Sequence, residues 1–221
     1  MAKKMVFEKL PWKVIKCSKA QLNLSIVLKC GQSFRWQSSG MDTNKNLETW
    51  RGVLDSRLWL LAQDNERLYF KSISQSSSEK DFNDEESVLH DYFQLKVDLA
   101  PLYKKWADVD PVFETIAQSY SGIRMLRQDP AENLFSFICS ANNNIKRISG
   151  MVENLCSNYG EVIATVDDEK YYAFPNIDHL AAATDIEDNL RKLGFGFRAA
   201  YISKTAKLVR MITLVRCYHI C

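Results

Sequence analysis

The hydrophobic period of this 221-residue chain changes once, near Glu86, and that change limits the folds open to it. Before it, apolar and polar residues alternate in Trp12-Lys-Val-Ile15, Leu22-Asn-Leu-Ser-Ile-Val-Leu28, Phe34-Arg-Trp36, Thr49 to Leu54, Leu58-Trp-Leu-Leu61 and Leu68-Tyr-Phe70. A period of two, with aromatic and β-branched residues, predicts half-buried antiparallel strands. Turn residues separate them at Ser38-Ser-Gly40, Asp55-Ser56 and Asp64-Asn65, and the last three segments read as a meander. Ser72 to Glu86, rich in Ser, Asp, Glu and Asn, reads as an exposed loop.

Beyond Glu86 the period is helical. Val88-Leu89, Tyr92-Phe93 and Leu95 fall at helical spacings, and Asp98 opens a helix carrying Leu99, Leu102, Tyr103 and Trp106. Asp110-Pro111 is a cap with proline in the first turn. Asp129-Pro-Ala-Glu132 is a fuller start, in which Asp129 caps, Pro130 opens and Glu132 closes a capping box. Leu134, Phe135, Phe137 and Ile138 then read as a largely buried set. Ile145, Ile148, Met151, Val152 and Leu155 stripe the next helix, and a helix begun at Asp185 stops at Gly194. Strands followed by helices, without βαβ alternation or an internal repeat, predict an α+β fold rather than a doubly wound sheet.

Composition adds limits. At 46% hydrophobic and 25% charged the chain reads as soluble and globular. The net charge of +2 is nearly neutral, so any nucleic-acid contact depends on local arrangement. No apolar run reaches the roughly 18 residues of a membrane span, and the N-terminus lacks the apolar core of a secretory signal. Cys17, Cys30, Cys139, Cys156, Cys217 and Cys221 are scattered and read as reduced thiols of an intracellular protein. Cys217-Tyr-His-Ile-Cys221 has no partner pair of ligands, so no metal site is expected. For His90 and His179, surface or capping roles are the default.

The segment Phe135-Ser-Phe-Ile-Cys-Ser-Ala-Asn-Asn-Asn-Ile-Lys-Arg-Ile148 joins two helices through three asparagines. Asn side chains compete for backbone hydrogen bonds, so they mark a tight junction. Exposed amides followed by Lys146 and Arg147 can contact nucleic acid. On local chemistry alone the preferred reading is a junction with solvated charges.

A wider comparison changes that balance. Leu126 to Val152, Gly31-Gln-Ser-Phe-Arg-Trp36 and Leu190-Arg-Lys-Leu-Gly-Phe-Gly-Phe-Arg-Ala199 resemble, in order and spacing, the eukaryotic 8-oxoguanine DNA glycosylase family, within the helix–hairpin–helix superfamily. The resemblance runs from about Trp12 to about Lys207. It implies an N-terminal antiparallel sheet domain with flanking helices over 5–119 and a partial helical glycosylase domain over 120–221.

The resemblance also implies roles. Gly31 would offer its carbonyl to N7–H of 8-oxoguanine; guanine has a lone pair there and would be repelled. Asn142 would fill the gap left by the extruded base and pair with the estranged cytosine. Arg147 and Arg198 would read that cytosine; taken alone, both are ordinary solvent-facing helix cations. Phe197 stands where the family usually has a tyrosine wedge, which keeps the ring and loses the hydroxyl. The implied activity is removal of 8-oxoguanine opposite cytosine with cleavage at the abasic site, in the nucleus or the mitochondrion. The implied partner is duplex DNA carrying that lesion, bound by a monomer without cofactor, metal or membrane. The glycine hairpin, roughly Leu-Pro-Gly-Val-Gly-Thr-Lys, whose lysine forms the Schiff base is not found in these residues. Lys204 and Lys207 lack a hairpin context, so no catalytic residue is assigned. The chain is therefore expected to lack catalysis, leaving a non-catalytic damaged-DNA-binding or regulatory form, or an unstable fragment.

Overall fold

The computed structural model describes residues 10–74 and 85–218, with side chains through 212. Lys3-Lys4, most of the Ser72–Glu86 loop and the side chains of Cys217–Cys221 lie outside the described residues. The chain divides into two compact units, one of residues up to 128 with 164–169, the other of 129–163 and 170 onward. The architecture is α+β, an antiparallel sheet domain followed by a helical one.

The first unit is built on a five-stranded antiparallel sheet: β1 (Lys13–Lys16), β2 (Trp36–Asp42), β3 (Leu47–Leu54), β4 (Arg57–Gln63) and β5 (Arg67–Ile73), in the order β1-β5-β4-β3-β2. The β3–β4 connection is the expected Asp55-Ser56 turn. Both residues are left-handed, φ 52° and 51°, the geometry whose twist matches that of paired strands. Asp64 organises the β4–β5 turn by accepting from the backbone N–H of Glu66 and Arg67 at 2.8 and 2.7 Å.

Two expectations fail here. Ser38-Ser-Gly40 is not a turn but an irregularity inside β2, where the register shifts between Ser38 and Met41 and Gly40 has φ 96°. Leu22–Leu28 is not a strand. It contains a short helix, α1 (Leu24–Val27), with Leu22, Leu24, Val27 and Leu28 all buried. The Gln63 side chain fixes its entry: its amide donates to the Leu22 carbonyl at 2.6 Å and its oxygen accepts from the Leu24 N–H at 3.1 Å. A buried tertiary partner for the backbone overrides the period-two pattern.

Helices α1 and α2 (Glu85–Tyr92) supply Leu24, Val27 and Leu89, and the residue after α2 supplies Phe93, to one core with Trp59 and Phe70 of the sheet. Helices α3 (Leu99–Ala107) and α4 (Pro111–Ser119) begin at the caps read from sequence. Asp98 accepts from Ala100 N at 3.1 Å, and Asp110 from Val112 N at 2.8 Å. These two helices pack on each other through Tyr103, Trp106 and Phe113, with ring centroids 5.5–5.8 Å apart.

Arg124 ties this unit's irregular segments together. It is buried, yet its guanidinium donates to the carbonyl of Gln21, to the carbonyls of Gln94 and Val97 at 2.8 Å each, and to the Gln21 side chain at 2.8 Å. Burial lowers its pKa, opposed by nearby Cys17 and Asp98. Replacing Arg124 with Met leaves those carbonyls unpaired and is expected to cost about 3 kcal/mol. Arg127→Met breaks only the exposed pair with Asp91, at 3.0 Å, and is expected to cost under about 1 kcal/mol. All five tryptophans, Trp12, Trp36, Trp50, Trp59 and Trp106, lie in this unit, so urea unfolding followed by tryptophan fluorescence measures both variants.

Candidate nucleic-acid interface

In the second unit the asparagine junction lies between α5 (Pro130–Ser140) and α6 (Ile145–Tyr159). Asp129 caps α5, accepting from the Glu132 N–H at 2.8 Å. The three asparagines do different things. Asn144 caps α6, accepting from the Arg147 N–H at 3.0 Å. Asn143 bridges the two helices: its amide donates to the Cys139 carbonyl at 3.0 Å and its oxygen accepts from the Asn144 N–H at 3.0 Å. Asn142 has a left-handed backbone, φ 49°, and an exposed side chain that makes no hydrogen bond among the described residues. Two of the three amides are structural, and the third is left facing outward.

After α7 (Ile177–Ala182), the connection between α8 (Ile186–Lys192) and α9 (Arg198–Tyr218) carries the other expected residues. At the end of α8, Gly194 N–H bonds Arg191 O at 3.1 Å and Phe195 N–H bonds Leu190 O at 3.1 Å. Gly194 at φ 84° supplies the left-handed residue this termination needs, with Leu190 and Phe195 buried together beneath it. Gly196, φ 60°, turns the chain again and leaves Phe197 52% exposed. The Phe197 ring meets the edge of Tyr201 at 6.1 Å, and the Arg198 guanidinium lies 4.5 Å from its centroid.

Arg198 corrects the local reading. It is not solvent-facing but 4% exposed, and its Nη2 donates to the carbonyls of Ala141 and, at 3.1 Å, Asn142. Its Nε is buried without a hydrogen-bond partner. Arg147 is exposed, as read, and its Nη2 donates to the Gly194 carbonyl at 3.2 Å. Two guanidinium groups thus join the α5–α6 turn to the α8–α9 connection. Asn142, Arg147, Phe197 and Arg198 come together by these contacts, with an outward amide, an exposed cation and an exposed ring. That set can hydrogen-bond base edges and pack against an unstacked base.

On α5, Phe135 and Cys139 are buried, but Leu134 and Phe137 are 41% and 52% exposed, contrary to the buried set expected. Helix α6 follows its predicted stripe except at Ile145, 48% exposed. A hairpin that sequence reading missed, β6 (Val162–Val166) and β7 (Glu169–Tyr172), turns through left-handed Asp167 and Asp168. The Val-Ile-Ala-Thr-Val run before an Asp-Asp pair is the signal that could have found it. Lys204 and Lys207 are exposed on α9.

Gly31 lies in the first unit. It is half-buried with φ 82°, and it follows α1 and its turn rather than a strand. Its backbone conformation alone favours glycine. Among the described residues no group of three His, Cys, Asp or Glu could hold a metal, and no helix is long and apolar enough to cross a membrane.

Residues 14–134 match the family described as 8-oxoguanine DNA glycosylase, N-terminal domain, and residues 135–215 match the HhH-GPD superfamily of base excision DNA repair proteins. The chain belongs to the 8-oxoguanine DNA glycosylase family. It is 39% identical over 194 residues to the N-glycosylase/DNA lyase of Saccharomyces cerevisiae, covering 86% of this chain and 50% of that protein. It is 33% identical over 202 residues to N-glycosylase/DNA lyase OGG1 of Arabidopsis thaliana, covering 90% and 52%. The chain therefore spans about half the length of the curated relatives it matches. Among solved structures it is similar to the Clostridium acetobutylicum 8-oxoguanine glycosylase/lyase bound to double-stranded DNA with cytosine opposite 8-oxoG. The TM-score is 0.73 and the identity 28%, over 93% of this chain and 66% of that one. MBOgg1 in complex with a low-affinity DNA ligand gives a TM-score of 0.75 at 30% identity, over 95% and 66%.

Cys139 lies beneath the Arg198 clamp, and burial pushes its thiol up to about 12 from the ordinary 9.0, opposed by Arg198. The folded state holds the proton more tightly than the unfolded one. The thiol's contribution to stability is therefore fully present below pH 9.0 and is lost as pH rises through about 12. Stability measured by circular dichroism is expected to fall across that window in the parent chain. It is expected to fall less in Cys139→Ala.

Proposed function

We propose that this chain recognises 8-oxoguanine opposite cytosine in duplex DNA. The whole-protein reaction it derives from is then excision of that base followed by cleavage at the abasic site. The observation that carries the reading is the cluster of Asn142, Arg147, Phe197 and Arg198 around one turn, with the Asn142 side chain exposed and making no hydrogen bond among the described residues. In this reading residues 5–119 carry the lesion-facing Gly31 and residues 120–221 carry the opposite-strand contacts. Asn142 takes the place of the extruded base, Arg147 and Arg198 address the cytosine, and the Phe197 ring enters the stack without a hydroxyl to donate. Relatives with similar sequence are named N-glycosylase/DNA lyase, and a similar structure holds DNA with cytosine opposite 8-oxoG. Both support the assignment of partner. The working form is a monomer in the nucleus or mitochondrion.

We further propose that residues 1–221 bind without excising. They contain no Leu-Pro-Gly-Val-Gly hairpin, and Lys204 and Lys207 sit in the regular helix α9 rather than a phosphate-gripping loop. Schiff-base chemistry needs a lysine whose amine is neutral and positioned at the sugar. The chain should bind an 8-oxoguanine:cytosine duplex in a fluorescence anisotropy titration, and Arg147→Ala should weaken that binding by about 1–3 kcal/mol. Borohydride added to the complex should trap no covalent adduct. A trapped adduct would refute the non-catalytic reading. Equal affinity for the Arg147→Ala variant would return Arg147 to an ordinary surface cation.

A further inference from the structure

We propose that Gln32 is a positioning residue that sets the Gly31 backbone for base reading. The proposal rests on the assignment of Gly31 above.

Gly31 leaves α1 in a left-handed conformation and enters an irregular stretch before β2. Such a stretch has no ladder to hold its backbone. Discrimination between a donor and a lone pair on one base atom requires a carbonyl held in place, since a mobile one could turn away from the wrong base. The next residue supplies the restraint. The Gln32 amide donates to the Arg124 carbonyl at 2.8 Å, and its side-chain oxygen accepts from the Leu126 N–H at 2.9 Å. Its own carbonyl accepts from the Gln128 side chain at 2.7 Å. Gln32 is therefore held from both its side chain and its main chain by alternate residues of one extended segment.

That segment is itself anchored. The Arg124 guanidinium engages Gln21, Gln94 and Val97, and the Arg127 N–H donates to the Tyr92 carbonyl at 2.9 Å. Gly122 adds a further tie: its carbonyl accepts from Asn23 N–H at 2.9 Å, and an added Cβ there would meet the Lys19 carbonyl oxygen at 2.1 Å. A rigid path thus runs from the end of α2 and the entry to α1, through 124–128, to the residue beside Gly31. Within the Gly31–Trp36 motif, the Gln32 side chain bonds to that segment through both halves of its amide. Glutamate at this position keeps the acceptor for Leu126 but sets a second oxygen against the Arg124 carbonyl.

The test compares the parent chain with Gln32→Ala and Gln32→Glu on three duplexes, carrying 8-oxoguanine, guanine or an abasic site opposite cytosine. Tryptophan fluorescence unfolding establishes that each variant is folded, and Gln32→Glu serves if Gln32→Ala is not. Exchange of the Leu126 amide is expected to accelerate in Gln32→Ala. The ratio of affinities for 8-oxoguanine over guanine is expected to fall about fivefold. Affinity for the abasic duplex, which has no base to read, is expected to stay unchanged. An unchanged ratio in both variants overturns the proposal. So does an equal loss on all three duplexes, which marks a purely structural residue. A parent chain that shows no preference for the lesion overturns the Gly31 assignment first and this proposal with it.

Discussion

The second unit depends on one buried charge. Arg198 lies at the first position of α9 with almost no exposure, and it donates to the carbonyls at the end of α5. Those carbonyls are orphaned where a helix stops, and a turn of three asparagines leaves them without backbone partners. A guanidinium satisfies two of them at once and brings a positive charge to the negative end of the helix dipole. Hydrogen bonds to a charged group contribute about 1.5–3 kcal/mol each, enough to hold Asn142 in a left-handed conformation that a non-glycine residue rarely adopts. The exposed amide is therefore pre-set by the residue beneath it. The cost is a buried Nε without a partner, an arrangement often found where function and stability compete.

The first unit uses the same device in a different setting. Arg124 gathers three carbonyls from two irregular segments, at Gln21 and at Gln94–Val97, where the regular elements end. Arginine suits both places because its planar fork reaches several oxygens and cannot lose its charge at ordinary pH. In each unit the regular elements stop short of the candidate site residues, and a buried guanidinium ties the irregular chain beside them. Asn142 and Gly31 both have positive φ, which is uncommon for asparagine and open to glycine without strain.

Much of this was legible in sequence. Alternation identified β3, β4 and β5 and the two-residue turn between β3 and β4. Asp98, Asp110 and Asp129 marked three helix starts that the structure places as expected. The α+β class followed from the order of the two periods. What failed depended on tertiary partners. Leu22–Leu28 reads as a strand until the Gln63 side chain takes its backbone, 41 and 39 residues away along the chain. Ser38–Gly40 reads as a turn because composition cannot tell a bulge from a reversal. At the candidate interface the sequence named Asn142, Arg147, Phe197 and Arg198, which the fold brings together, but not their division of labour. Nothing in three consecutive asparagines says that one caps a helix, one bridges the junction and one is outward. Nor does the spacing of Arg198 say that it is buried, since its partners are main-chain carbonyls 56 and 57 positions earlier.

The central claim is that Asn142 stands in for the extruded base and pairs with the cytosine opposite. An abasic site isolates that role, because no lesion is present for any other residue to read. The direct measurement is the affinity of the parent chain and of Asn142→Ala for abasic duplexes with cytosine or adenine opposite. The parent should prefer cytosine, and the substitution should weaken that preference, leaving what Arg147 and Arg198 supply, while the fold, followed by circular dichroism, stays intact. A cytosine preference that survives unchanged in a folded Asn142→Ala chain would contradict the account.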